Sequence, residues 1–419
     1  MSTTIPTHIG HDALSALIQY CERRGLKKFL LVSDRNTHRA LGSSVEKSFS
    51  DHGYDMIVAT LEGEEVVADE DSLIQVFLKV DQDVRTFLAV GSGTITDITR
   101  FVSHRTHSPF ISLPTAPSVD GFTSIGAPLV VRRLKQTFLC QPPTAIFADL
   151  PTLCTAPPAM IAAGFGDMIG KLLSTSDWKL GHILWDEPFD EDIWHRSRQA
   201  ALLCAEHAEE IGRGTEAGVR ILMESLIESG YCMLDFGNTS PASGAEHHLS
   251  HFWEMKLLEE KRPAILHGAK VGVASVITSG WYQAIQKLSR DQVFLKLKDR
   301  QLPDPQKAES EIREGFGGIA EKLVSEQAGF IRMSPDAYEG MKLRIVDRWQ
   351  EILTIAAQVP SPQQLTDWLQ KARAPVSPQA LDLDEEEVVQ AIRFSHYIRS
   401  RFTISKLVHF LGMLETKAW

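Results

Sequence analysis

The sequence predicts an α/β protein, a parallel-sheet domain over residues 1–152 followed by an all-helical domain over residues 153–419. Three observations carry that reading. Five short apolar runs recur in the first part, separated by polar–apolar stretches of helical period; continuous apolar strands alternating with helices indicate a parallel sheet covered on both faces. Beyond Pro157-Pro158 the alternation stops, and apolar residues recur every three or four positions. The length of 419 residues exceeds one ordinary core, so two domains are expected.

In chain order, residues 28–33 read as a buried strand ending at Asp34, and 56–60, 86–90, 110–113 and 145–148 read as four more. Residues 40–52 and 70–80 carry helical period between them. Leu129-Val130-Val131 and Thr137-Phe138-Leu139 flank the basic Arg132-Arg133-Leu134-Lys135, which predicts a hairpin inserted before the fifth strand. In the second part, residues 200–211, 218–233 and 272–288 read as helices, with proline-bearing loops at 300–305, 360–362 and 375–378. The run Asp384-Glu385-Glu386-Glu387 belongs in a helix's first turn, where negative charge complements the dipole.

Composition excludes several classes of function. Hydrophobic content of 43% and charged content of 23% are those of a soluble globular protein. A net charge of -11 leaves no basic excess to neutralise the phosphates of a nucleic acid. No apolar run approaches a membrane span, and Met1-Ser2-Thr3-Thr4-Ile5-Pro6 lacks the regions of a signal peptide. The five cysteines are scattered and form no CxxC pair, which suits reduced thiols in a cytoplasm.

Five stretches offer chemistry. Val90-Gly91-Ser92-Gly93-Thr94-Ile95-Thr96-Asp97 follows a strand and opens a helix. Glycines there let the backbone approach a pyrophosphate, and the helix N-terminus supplies N–H donors. It is not the GxGxxG fingerprint, because Thr96 stands where the third glycine would, and a strand-to-helix turn needs glycine in any case. Leu113-Pro114-Thr115-Ala116-Pro117-Ser118-Val119-Asp120-Gly121-Phe122-Thr123-Ser124 is rich in turn formers and falls at the carboxyl edge of the sheet, where ligands bind. Gly164-Phe165-Gly166-Asp167-Met168-Ile169-Gly170-Lys171 supplies a carboxylate. Ser243-Gly244-Ala245-Glu246-His247-His248-Leu249-Ser250-His251 and Leu266-His267-Gly268-Ala269-Lys270-Val271-Gly272 supply imidazoles. His247 and His251 share a helix face, and His248 is turned about 100° away. One carboxylate and two imidazoles leave positions open on a divalent cation. On spacing alone, a histidine pair four apart is most often incidental.

These stretches resemble the iron-containing alcohol dehydrogenase and dehydroquinate synthase superfamily, most closely the AraM-type glycerol-1-phosphate dehydrogenases, across nearly the whole chain. The resemblance implies a dehydroquinate synthase-like fold with a nucleotide-binding first domain and a metal-binding second domain. It implies NAD or NADP on Gly93, Thr94, Ile95, Thr96 and Asp97, on Thr115, Ala116, Pro117, Ser118 and Ser124, and near Asp34. It implies one divalent metal, zinc or nickel before iron, on Asp167, His247 and His267. Asp120 would hold a substrate hydroxyl, and His251 would hold substrate or pass a proton. The implied reaction interconverts glycerone phosphate and sn-glycerol 1-phosphate, in a homo-oligomer of two or more chains. The phosphate would fall to Lys171 or Lys270, each otherwise a solvated surface lysine. A glycerol or other polyol dehydrogenase is the alternative, and then a dehydroquinate-synthase-like lyase. Two departures stand out: His267-Gly268 is followed by Ala269, not the glutamate common in related metal dehydrogenases, and the acidic ligand is Asp167, not the Glu of the synthases.

Overall fold

The apolar runs of the first part become the centre of a six-stranded sheet in a computed structural model that describes residues 5–63, 65–132 and 134–414. Its strands are β1 (Thr7–Gly10), β2 (Lys28–Asp34), β3 (Asp55–Leu61), β4 (Thr86–Val90), β5 (Phe110–Leu113) and β8 (Ala145–Asp149), in the order β1-β8-β5-β4-β2-β3 with every pair parallel. Alternate residues face opposite ways along a strand. Thus Phe29, Leu31, Leu88, Val90, Ile111 and Leu113 enter one apolar cluster, while Leu30, Val32, Phe87, Ala89 and Phe110 enter another. Both faces are covered, which is why the strands read as unbroken apolar runs.

The chain runs outward from β2 to β3, then returns to the far side of β2 to lay down β4. Such a reversal opens a crevice at the carboxyl ends of the two strands it separates. Those ends are Asp34 on β2 and the turn Gly91-Ser92-Gly93 after β4. β1 is the strand the sequence did not announce. It has four residues, only one of them (Ile9) a large apolar side chain, and pairing with β8 from Thr7↔Ile146 to Gly10↔Asp149 defines it. The hairpin forms as β6 (Gly126–Val131) and β7 (Leu134–Leu139), antiparallel, longer than expected, with Arg132 in the left-handed conformation at φ 53. Arg133 and Met1 to Thr4 lie outside the described residues.

By contact the chain falls into two compact units, Met1–Phe165 with Glu206–Gly237, and Gly166–Ala205 with Asn238–Trp419. Five helices matter below: α1 (Gly93–Arg105), α2 (Pro158–Trp185), α3 (Glu216–Phe236), α4 (Ala245–Glu259) and α5 (His267–Gln286). The sequence reading put α3 with the helical part, yet it packs on the sheet unit. Arg220 Nη1 donates to Ile9 O at 2.8 Å, and Tyr231 Oη donates to Ile5 O at 2.7 Å. A helix's own period shows which face it buries, not against what.

In the second unit, α2 is buried on every side from Gly166 to Trp178, its polar and charged residues included. Gly166 lets it meet α5 backbone to backbone: a Cβ there would lie 2.2 Å from Gly268 O. The acidic run caps the helix Glu385–Phe394, with Asp384 and Glu387 forming a reciprocal capping box. Among the described residues, no helix is long and apolar enough to cross a membrane.

Candidate active site

The turn after β4 is built tightly. A Cβ on Gly91 would lie 2.5 Å from Ile95 Cβ, so only glycine fits beneath the first turn of α1. Ser92 caps α1 and shares a 2.8 Å hydrogen bond with Ser118 Oγ, while Thr115 N donates to Gly91 O at 3.3 Å. The glycine turn and the loop after β5 are thereby one surface, with Thr94 exposed, Gly93 half-buried, and Ile95, Thr96, Thr115, Ala116, Pro117 and Ser118 buried. Asp34 Oδ1 accepts from Asn36 N and Thr37 N, each at 2.8 Å, and so shapes the turn after β2.

Arg100 of α1, fully buried, ties this region together. Nη1 donates to Asp97 Oδ1 and Gly126 O, each at 2.8 Å; Nη2 donates to Gly121 O at 2.6 Å and Phe122 O at 3.2 Å. The loop carrying Asp120 is thus fixed from one side by Arg100. From the other side α3 fixes it: a Cβ on Gly230 would lie 1.9 Å from Thr123 Oγ1, and Asp120 Oδ2 accepts from Ser229 Oγ at 2.9 Å. Ser124 Oγ accepts from Gly126 N at 2.9 Å.

In the second unit, the structure brings Asp167, His247 and His267 together, with one donor atom of each within 4.8 Å of the other two. His247 Nε2 stands 3.5 Å from Asp167 Oδ1. Two ligands about 2.0–2.1 Å from a tetrahedral zinc are themselves roughly 3.3–3.4 Å apart, so this pair has the spacing of a shared ion. A carboxylate with two imidazoles is also the donor mixture that zinc, nickel and iron accept. The residues therefore fit a divalent cation. His251 completes a group of three rings, its centroid 6.2 Å from His247 and 5.8 Å from His267, with Nδ1 3.4 Å from Glu254 Oε2. His248 is buried and does not join the group.

The charges suit a cation. Burial alone would raise the Asp167 carboxyl, but the Lys171 ammonium 2.7 Å away holds it well below the usual carboxylate range. Burial pushes His267 far below the ordinary imidazole value. Asp167 is therefore ionised and His267 neutral at neutral pH, the protonation states that metal ligands need. Against burial and Lys171, the neighbouring Asp167 and Glu246 carboxylates raise His247, and a cation bound at Nε2 would displace the proton they favour.

The alternative that both lysines are solvated surface residues does not hold. Lys171 is fully buried, bound to Asp167 and to Ala242 O at 3.1 Å, and Lys270 is 1% exposed with Nζ 3.4 Å from Glu254 Oε1. The spacing of Lys171 was present in the sequence: it stands four residues beyond Asp167, where two side chains on a helix meet. Three further residues had no local signal. They are Arg100, Glu246 beside His247, and Asp177, whose Oδ2 accepts from Ala245 N at 2.7 Å and so receives the start of α4 from a distant helix.

Comparison with known proteins agrees with this architecture. The sequence profile of the iron-containing alcohol dehydrogenases matches residues 8–157. The solved structure of glycerol dehydrogenase from Schizosaccharomyces pombe superposes with a TM-score of 0.63 at 16% identity, over 98% of this chain and 88% of that one, and so shares the fold. An NAD(P)+ glycerol-1-phosphate dehydrogenase from Geobacillus thermodenitrificans (strain NG80-2) is 38% identical over 400 residues, 94% of this chain and 90% of the relative. The enzyme of the same name from Bacillus subtilis (strain 168) is 37% identical over 404 residues, 96% of this chain and 90% of the relative. At that identity and coverage the chain belongs to the glycerol-1-phosphate dehydrogenase family, within the iron-containing alcohol dehydrogenases.

Proposed function

We propose that this protein is an NAD(P)-dependent, metal-dependent oxidoreductase acting on a secondary alcohol, interconverting glycerone phosphate and sn-glycerol 1-phosphate. The observation that carries the reading is the convergence of Asp167, His247 and His267 in a chain of this family. These three would hold one divalent ion, zinc or nickel before iron, which when bound would supply Lewis-acid polarisation at the substrate's C2 oxygen. Gly93, Thr94 and the N-terminus of α1, at the crevice that the strand order opens, would hold the pyrophosphate of the nicotinamide cofactor, which when bound would supply or accept the hydride.

The chain's own side chains do the rest. Asp120, fixed by Ser229, accepts from a substrate hydroxyl. His251, partly exposed beside His247 and His267, takes the proton of the C2 hydroxyl during oxidation and returns it during reduction. Lys171 is engaged by Asp167, so Lys270, exchanging Glu254 for the phosphate, is the better candidate of the two for that group. The five free cysteines support a reducing, cytoplasmic setting.

The test is absorbance of the reduced nicotinamide with metal-stripped protein, reloaded with each metal in turn. Turnover should need the metal, and glycerone phosphate should exceed dihydroxyacetone by about 100-fold or more in kcat/KM, roughly 3 kcal/mol of transition-state binding from the phosphate. Equal values for the two substrates would move the protein to a polyol dehydrogenase. Formation of sn-glycerol 3-phosphate would refute the substrate pose.

A further inference from the structure

Glu246 is fully buried one residue before His247. Neighbouring residues on a helix point about 100° apart, so regular geometry does not bring their side chains together. Here the glutamate turns back over the start of α4. Its Oε1 lies 2.7 Å from His247 Nδ1 and accepts the backbone N–H of Gly244 at 2.8 Å. Gly244 leaves the room: a Cβ there would lie 2.9 Å from Glu246 Oε2 and 2.6 Å from Asp177 Oδ2. Asp177 in turn secures the same helix start, accepting from Ala245 N and Ile404 N at 2.7 Å and from Tyr282 Oη at 2.6 Å. Two buried carboxylates thus lie side by side under one helix terminus.

Apolar residues would hold a helix start in a core at lower cost than two buried carboxylates, one of which, Glu246, has an Oε2 without any hydrogen-bond partner. Reach to the imidazole explains Glu246. With Nδ1 as the donor to Glu246 Oε1, the ring proton sits on Nδ1 and the lone pair is left on Nε2. That Nε2 is the atom turned towards Asp167 Oδ1, 3.5 Å away, and the ring lies 5.2 Å from that of His267. We propose that Glu246 is the positioning residue of the metal centre, setting the tautomer and orientation of His247 so that Nε2 faces the ion. The glutamate missing after His267-Gly268 is thereby replaced by one placed directly before the other histidine ligand. This inference rests on the metal assignment above.

Two conservative variants separate position from charge. Glu246→Asp keeps the charge but is one methylene too short to reach Nδ1; Glu246→Gln keeps the reach and an acceptor oxygen but loses the charge. Each is purified, stripped and titrated with zinc against a competing chelator, and the visible spectrum of the cobalt-loaded form is recorded. Glu246→Asp should lose about 10–100-fold in zinc affinity, the usual cost of removing such a partner, and shift the cobalt bands. Glu246→Gln should stay near wild type in both. The reverse order, with Asp like wild type and Gln impaired, would overturn the proposal in favour of a purely electrostatic role. Wild-type affinity and spectrum in both variants would overturn it outright. A wild-type protein that takes up no stoichiometric divalent ion would instead refute the metal assignment itself.

Discussion

Asp167 and Lys171 form an ion pair with both side chains fully buried, 2.7 Å apart, on one helix. Taking two charges out of water is costly, and their attraction repays it only while both are present. Removing one partner therefore leaves an uncompensated buried charge. In the metal-free protein, Asp167→Ala should lower unfolding free energy by about 3–5 kcal/mol in a denaturant titration. Adding Lys171→Met should recover most of that loss while turnover stays abolished. If the double variant is no more stable than the single one, the pair is not what makes Asp167 costly to remove. Asp167 was legible as a candidate ligand from its residue type and surrounding motif. Its lysine partner was legible by spacing, one helical turn beyond Asp167, but not by environment, because burial of that turn is decided by helices distant in sequence. Glu246 was not legible at all: a side chain folded back onto its neighbour leaves no periodic trace.

At the scale of elements, the glycines of Gly164-Phe165-Gly166-Asp167 gain a packing explanation. Asp167 and His267 come together because α2 and α5 cross with Gly166 against Gly268 and Gly272. Gly166→Ala would put a Cβ 2.2 Å from a backbone oxygen, which cannot swing aside, so the helices must separate. The expected result is a stability loss of about 1–3 kcal/mol with a much larger fall in metal affinity, since coordination tolerates little displacement. Gly280→Ala on α5 is the control: nothing lies within 4 Å of its Cβ, and a helical Gly→Ala change there should be neutral or stabilising by up to about 1 kcal/mol. Equal metal affinity in the two variants would show that the crossing does not set the site. The elements themselves were legible where burial is two-sided, since β2, β4 and β5 read as continuous apolar runs. Neither β1 nor the partner of α3 was legible, because a short edge strand and a helix's docking face are both decided by residues far away in sequence.

At the scale of the whole molecule, the two proposed binding sets divide cleanly between the units. Asp34, Gly93 to Asp97, Thr115 to Ser118 and Ser124 all belong to Met1–Phe165, whereas Asp167, His247 and His267 all belong to Gly166–Ala205 and Asn238–Trp419. Sequence order hinted at this division but hid the return of Glu206–Gly237 to the first unit, which only tertiary contact defines. Binding of cofactor and metal should accordingly be separable although catalysis needs both. Stripped wild-type protein, and Asp167→Ala, should bind reduced nicotinamide cofactor within a few-fold of the metal-loaded affinity, read by fluorescence titration. Conversely, Gly93→Val adds bulk where even a Cβ would lie 3.1 Å from Val119 Cγ2, so cofactor affinity should fall while metal stoichiometry stays at one. Thermodynamic linkage makes the test reciprocal: whatever factor metal removal imposes on cofactor affinity, the cofactor must impose on metal affinity. A tenfold effect in both titrations, about 1.4 kcal/mol of coupling, would contradict independent sites. A tenfold effect in only one would point to damage from stripping, because coupling between two binding equilibria cannot be one-sided.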